Sequence, residues 1–193
     1  MSLLGYKRPG TPVTGGDCIG SFSSRTDTAT VMPDPEGTVE KADAYAEVRR
    51  RIDALLEGET DWIAAMATVA CELHQSFAPF DWTGFYRAVP DEERLIVGPY
   101  QGPHGCLHIP YDRGVCGAAA RTRETQLWPD VSDAPDHIAC QSSTQSEIVV
   151  PVVTPGDRLL AVLDVDSDTL GAFDDTDRRY LEDLCDHLGG QFG

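Results

Sequence analysis

The stretch Ile148-Val-Val-Pro-Val-Val153, then Thr154-Pro-Gly-Asp-Arg158, then Leu159-Leu-Ala-Val-Leu-Asp-Val165 carries the strongest structural signal in this 193-residue chain. Both flanks are rich in β-branched residues, and Pro155-Gly156-Asp157 supplies turn chemistry between them. The segment therefore predicts two strands joined by a tight turn. Upstream, Trp82–Val89 and Leu95–Tyr100 are a second pair of β-rich runs around Pro90-Asp91-Glu92-Glu93, which reads as another hairpin.

Outside these hairpins the apolar period becomes helical. Between Val39 and Glu57, Tyr45, Val48, Ile52, Leu55 and Leu56 recur at three- and four-residue steps, and Gly58 closes the run. Thr60 and Asp61 are caps for a second helix, with the stripe Ile63, Met66, Ala70, Leu73 and Phe77, ended by Pro79. Gly114–Arg123 is rich in small residues and predicts a short helix packed closely on a sheet. Gln126–Trp128 suits a brief strand, and Val131–Ser146 is polar and irregular. A last helix over Asp174–Leu188 places Tyr180, Leu181, Leu184 and Leu188 on one face. Helices, then strands, then a terminal helix predict an α+β domain with a central antiparallel sheet flanked by helices. Residues 1–38 contain twenty Gly, Pro, Ser or Thr residues and no apolar period. They are expected to form a flexible N-terminal extension, leaving 39–193 as the folded domain.

Thirty-two acids against fifteen bases give a net charge of −17. That balance argues against nucleic-acid binding, which needs a basic footprint. No apolar run approaches the ~20 residues of a membrane span, and the first residues lack a signal peptide's apolar stretch. A cytoplasmic protein that binds neither membrane nor nucleic acid is the expectation.

Six cysteines in a reducing compartment are expected to be thiols rather than structural bridges. Cys71 and Cys185 fall within helical patterns and read as small buried hydrophobes. Cys106, Cys116 and Cys140 lie instead in Gly-, Pro- and Ser-rich connecting segments, where reactive sites are commonly built. No C-x-x-C occurs, so a structural zinc site has little support despite His104, His108 and His137 nearby.

The motifs around these cysteines form an ordered set: Trp82-Thr-Gly-Phe-Tyr86, Gly98-Pro-Tyr-Gln-Gly102, Cys106, Gly114-Val-Cys-Gly117, His137-Ile-Ala-Cys140, Ser146-Glu-Ile-Val149 and Leu163-Asp-Val-Asp-Ser167. Over residues 41–189 the set resembles the free methionine-(R)-sulfoxide reductases, which are single GAF-fold enzymes. The likeness departs at Ala134-Pro135-Asp136 and at Gln141, where that family more often carries Phe-Pro-Gly and Asp. A GAF fold by itself says little about activity; the three motif-borne thiols make the match specific.

The resemblance implies reduction of free methionine (R)-sulfoxide by thiol chemistry. Cys140 is the implied attacking cysteine, which becomes a sulfenic acid as methionine leaves. Cys106 is the implied resolving thiol, with Cys116 a second or alternative one. Glu147 would hold and protonate the sulfoxide oxygen, assisted by Asp166. Asp164 and Asp166 are two apart, so a regular strand turns both to one side, where one would meet the substrate's ammonium group. Trp82 and Tyr86, four apart, would hold the S-methyl group. No metal or bound organic cofactor is required; thioredoxin or a similar dithiol is the implied external reductant, and a homodimer is suggested by similar proteins. Two other functions fit a GAF-like chain: a non-catalytic ligand-sensing module, and a thiol redox sensor.

Overall fold

Strand residues in this chain alternate between two apolar environments, and that alternation builds a two-sided domain. The structure is a computed structural model that describes residues 35–135 and 140–193. Its elements are α1 (Pro35–Leu55), α2 (Trp62–Ser76), β1 (Trp82–Val89), β2 (Arg94–Gln101), β3 (His108–Pro110), α3 (Gly114–Thr122), β4 (Gln126–Trp128), β5 (Ser146–Val153), β6 (Leu159–Ser167) and α4 (Asp175–Phe192). The six strands form one sheet in the order β3-β2-β1-β6-β5-β4, and every neighbouring pair is antiparallel. The α+β expectation is borne out.

One face of the sheet turns Phe85, Ile148, Val150, Val152, Ala161, Leu163 and Val165 towards α1, α2 and α4. α2 and α4 lie on the strands, and α1 packs against both helices. The other face carries Trp82, Tyr86, Val149 and Val162, joined by Val115, Ala119 and Ala120 of α3. The first face is the large core. The second is smaller and more polar, because Glu147, Asp164 and Asp166 share it by the two-residue period of their strands.

Local signals account for most element ends. Asp61 caps α2 by accepting the Ala64 N–H at 2.8 Å. Asp174 and Asp177 form a reciprocal capping box at α4. Fully buried Asp177 also accepts the Tyr45 hydroxyl at 2.7 Å and pairs with Lys41, which fastens α4 to α1. Pro90–Glu92 form a single 3₁₀ turn, and Glu93 takes the left-handed conformation (φ 46°) that lets β2 return beside β1.

Four readings of the sequence change. α1 begins at Pro35, so 35–38 belong to a helix; the remainder of the expected extension lies outside the described residues. In α2 the bulky Ile63 is 49% exposed and the sheet is met by Ala65, Met66, Val69, Ala70 and Leu73. The other members of the expected stripe, Met66, Ala70, Leu73 and Phe77, are buried in the core, so only Ile63, in the first turn of the helix, falls outside it. Strand β3, three residues ending in proline, has no apolar alternation of its own and exists through its pairing with β2. Cys71 is half-exposed and accepts an N–H from Gln75 at 2.9 Å, whereas Cys185 is fully buried.

Candidate active site

Three strands bring the acidic residues together in rows. Glu147 of β5 is the cross-strand partner of Asp166 of β6, which is in turn the partner of Trp82 of β1. In the adjacent row Val149, Asp164 and Gly84 are partners. The Leu163-Asp-Val-Asp-Ser167 alternation therefore places both aspartates beneath α3, while Leu163 and Val165 enter the main core.

A small pocket, open to solvent, lies over these rows. Its described lining is Ile109, Gly114, Val115, Cys116, Cys140, Gln141, Thr144, Glu147, Asp164 and Asp166. Five of the residues selected from the sequence thus meet in one cavity: Cys116, Cys140, Glu147, Asp164 and Asp166. Cys106 joins them through a disulfide to Cys140, with Cα atoms 5.3 Å apart. That bond contradicts the expectation that these two cysteines stand as thiols, yet it joins the attacking and resolving pair that the resemblance implies; the chain fold brings residues 34 positions apart within bonding distance. Cys116 remains a thiol, buried in the first turn of α3.

Trp82 and Tyr86 are not on this lining. Both rings are buried in the layer beside it, stacked with centroids 5.6 Å apart, and Tyr100 also stacks against Trp82 at 5.3 Å. The indole N–H donates to the Pro103 carbonyl at 3.0 Å. Glycines make room for the ring. A Cβ on Gly84 would stand 2.6 Å from the indole Cη2, and one on Gly105 would stand 2.8 Å from the Tyr86 hydroxyl. Gly105, the residue before Cys106, thus lies directly on the aromatic pair.

Glu147 and Asp164 are both about 5% exposed. Burial, followed by repulsion from Asp164 and Asp166, raises the Glu147 carboxyl well above the usual carboxylate range. Burial pushes Asp164 up to about 7, against hydrogen bonds involving Cys116 and Glu147. Asp166 is raised as well, by burial and then by Asp164, although Thr144 hydrogen-bonds to it. The same burial and the same acids raise the Cys116 thiol. Burial thus favours the protonated form of all four groups.

Asp164 Oδ1 is buried without a hydrogen-bond partner, so the cavity offers an acceptor suited to an ammonium group. Cys116, Glu147 and Asp164 each bring a potential metal-ligand atom within 4.8 Å of the others. The protonated forms that burial favours are poor ligands. Gln141 and Thr144 were not selected as site residues from the sequence. Gln141 directly follows Cys140, and adjacency to that cysteine is the signal that would have found it.

A GAF domain profile matches residues 60–190. Free methionine-R-sulfoxide reductase of Escherichia coli is 37% identical over 148 residues, 77% of this chain and 88% of that one. The chain belongs to the GAF-type free methionine-R-sulfoxide reductase family. The yeast reductase of the same name is 38% identical over 69% of this chain and 77% of its own length. Among solved structures, the free methionine-R-sulfoxide reductase of Neisseria meningitidis in complex with its substrate is 44% identical. It covers 79% of this chain and 90% of that one, with a TM-score of 0.75. The fold and the family suggested by the cysteine-bearing motifs are those the comparisons give.

Proposed function

We propose that this chain reduces free L-methionine (R)-sulfoxide to methionine, with Cys140 as the nucleophile and Cys106 as the resolving thiol. The observation that carries this reading is the Cys106–Cys140 disulfide at a pocket floored by three proton-rich carboxyl groups. The reduced enzyme's Cys140 attacks the sulfoxide, and the S–O bond breaks as Glu147, assisted by Asp166, supplies a proton to the oxygen. Methionine leaves, and Cys140 retains the oxygen as a sulfenic acid. The Cys106 thiol then displaces that oxygen as water and forms the disulfide. Each turnover thus consumes two thiol hydrogens, and an external dithiol of the thioredoxin kind restores them by exchange. Cys116, still a thiol while its neighbours are bonded, is the second resolving group.

Asp164, with its unpartnered oxygen, suits the substrate's ammonium group. Trp82 and Tyr86 bound the S-methyl side. Gly105 lies against both rings in the bonded form, so this role requires the segment of Gly105 and Cys106 to move once the disulfide is cleaved. No described helix is long and apolar enough to cross a membrane. The test is direct: reduced protein, freed of reductant, is mixed with excess free methionine (R)-sulfoxide. One methionine per chain is expected, with continuous production when dithiothreitol is added. A ligand-sensing module would yield none. A redox sensor would form its disulfide with peroxide yet show no sulfoxide preference.

A further inference from the structure

The pocket has an unused donor whose chemistry the acidic cluster cannot supply. A free amino acid brings a negative carboxylate as well as an ammonium group. Among the described lining residues, Glu147, Asp164 and Asp166 are acids, Cys140 is bonded to Cys106, and Thr144 is engaged with Asp166. Ile109 and Val115 are apolar, Gly114 has no side chain, and the Cys116 thiol is within 4.0 Å of Glu147 Oε1. None is an arginine, lysine or histidine. One side-chain N–H group remains: Gln141 Nε2, buried and without a hydrogen-bond partner.

An amide donor left unpaired in a buried position costs stability unless something occupies it. Its surroundings favour an anion. The lining residues Gly114, Val115 and Cys116 are the first turn of α3, and the Arg113 N-cap provides no side-chain hydrogen bond to that turn. The first-turn N–H groups of a nine-residue helix add positive potential at the pocket wall.

Resting on the function proposed above, we infer that the Gln141 amide receives the α-carboxylate of the substrate, supported by the first turn of α3. Gln141, where the family more often carries Asp, thus gives this chain a carboxylate contact of its own, while Asp164 and its neighbours read the amino end. Its position directly after Cys140 fixes the distance between the carboxylate and the attacking sulfur.

The experiment compares two substrates, free L-methionine (R)-sulfoxide and its carboxamide, with dithiothreitol as reductant, on wild type, Gln141→Ala and Gln141→Glu. In Gln141→Ala the KM for the amino acid is expected to rise about tenfold, the loss of one hydrogen bond to a charged group, with kcat within about twofold. Gln141→Glu, nearly the same size, places a carboxylate against a carboxylate and raises it further. For the carboxamide, whose carbonyl oxygen accepts only a weaker, uncharged hydrogen bond, kcat/KM falls by no more than about threefold in either variant, so the preference for acid over amide narrows in both. Parallel losses on both substrates would assign Gln141 a general structural role and overturn the inference, as would an unchanged KM for the amino acid. A wild type that reduces neither substrate contradicts the proposed function instead.

Discussion

Glu147 on β5 and Asp166 on β6 are direct cross-strand partners beneath a pocket that also holds Asp164 in the neighbouring row. Three carboxyl groups so placed cannot all ionise, and burial adds to the cost. As proton donors they serve only while protonated. Turnover under saturating substrate is therefore expected to fall as pH rises above neutrality, and Glu147→Gln should lower kcat by at least ~100-fold. A pH profile of kcat for wild type and variant checks both. Activity that climbs steadily from pH 6 to 9 would show that the attacking thiol, and not a carboxyl donor, governs the rate.

The same raised values have a consequence for stability. Asp164 binds its proton up to about pH 7 in the native state, whereas in the unfolded chain it ionises near pH ~4. Between these values the native state holds more protons. The contribution is thus fully present in acid and is lost as pH rises through about 7. Asp164→Asn removes this dependence. The variant's Tm relative to wild type is expected to increase from pH 5 to pH 8, by several degrees at about 2–4 °C per kcal/mol for a chain of this size. Calorimetry at the two pH values measures it, and a constant Tm difference would refute the linkage.

The three thiols can be separated by mass. Without reductant, wild type exposed to the sulfoxide should lose two hydrogens, and Cys140→Ser should release no methionine. Cys106→Ser still releases one methionine per chain; its mass should then show a Cys116–Cys140 bond, formed by the second resolving thiol. The double variant Cys106→Ser/Cys116→Ser is expected to gain a single oxygen, the stalled sulfenic acid. Intact-mass spectra with peptide mapping read each species, and methionine release by Cys140→Ser would move the nucleophile elsewhere.

What the sequence made legible follows from how local each signal is. The hairpin of β5 and β6, the caps at Asp61 and Asp174, and the placement of Asp164 with Asp166 on one side all depend on neighbours a few residues away. The short edge strand β3 exists through its pairing with β2, and the exposure of Ile63 in α2 is set by tertiary packing, so neither was legible locally. The pocket is built from β3, α3, β5, β6 and the segment around Cys140. Its cysteines and acids were legible because they lie in motifs. Gln141 and Thr144 lie in a polar, aperiodic stretch, where only the folded chain reveals which side chains point inward.

Gly84 offers a test of the aromatic layer that leaves every polar group in place. It lies between Asp164 of β6 and Tyr100 of β2, its cross-strand partners on either side. An added Cβ would collide with the Tyr100 Cβ and stand 2.6 Å from the indole Cη2 and 3.0 Å from Cζ3. Neither contact relaxes easily, because the Tyr100 Cβ is fixed to the backbone and Trp82 is stacked against two tyrosines. Overpacking of this kind typically costs ~1–3 kcal/mol. If Trp82 and Tyr86 hold the S-methyl group, Gly84→Ala should also raise KM for the sulfoxide by about tenfold or more, since the displaced indole no longer fits the substrate. The reduced variant's reaction with a small alkylating agent should keep its wild-type rate, because the substitution changes no thiol and no carboxyl group of the pocket. Urea unfolding, KM and alkylation rate together decide the matter. A loss of stability with KM unchanged would leave the indole as packing alone and remove it from the substrate's surroundings.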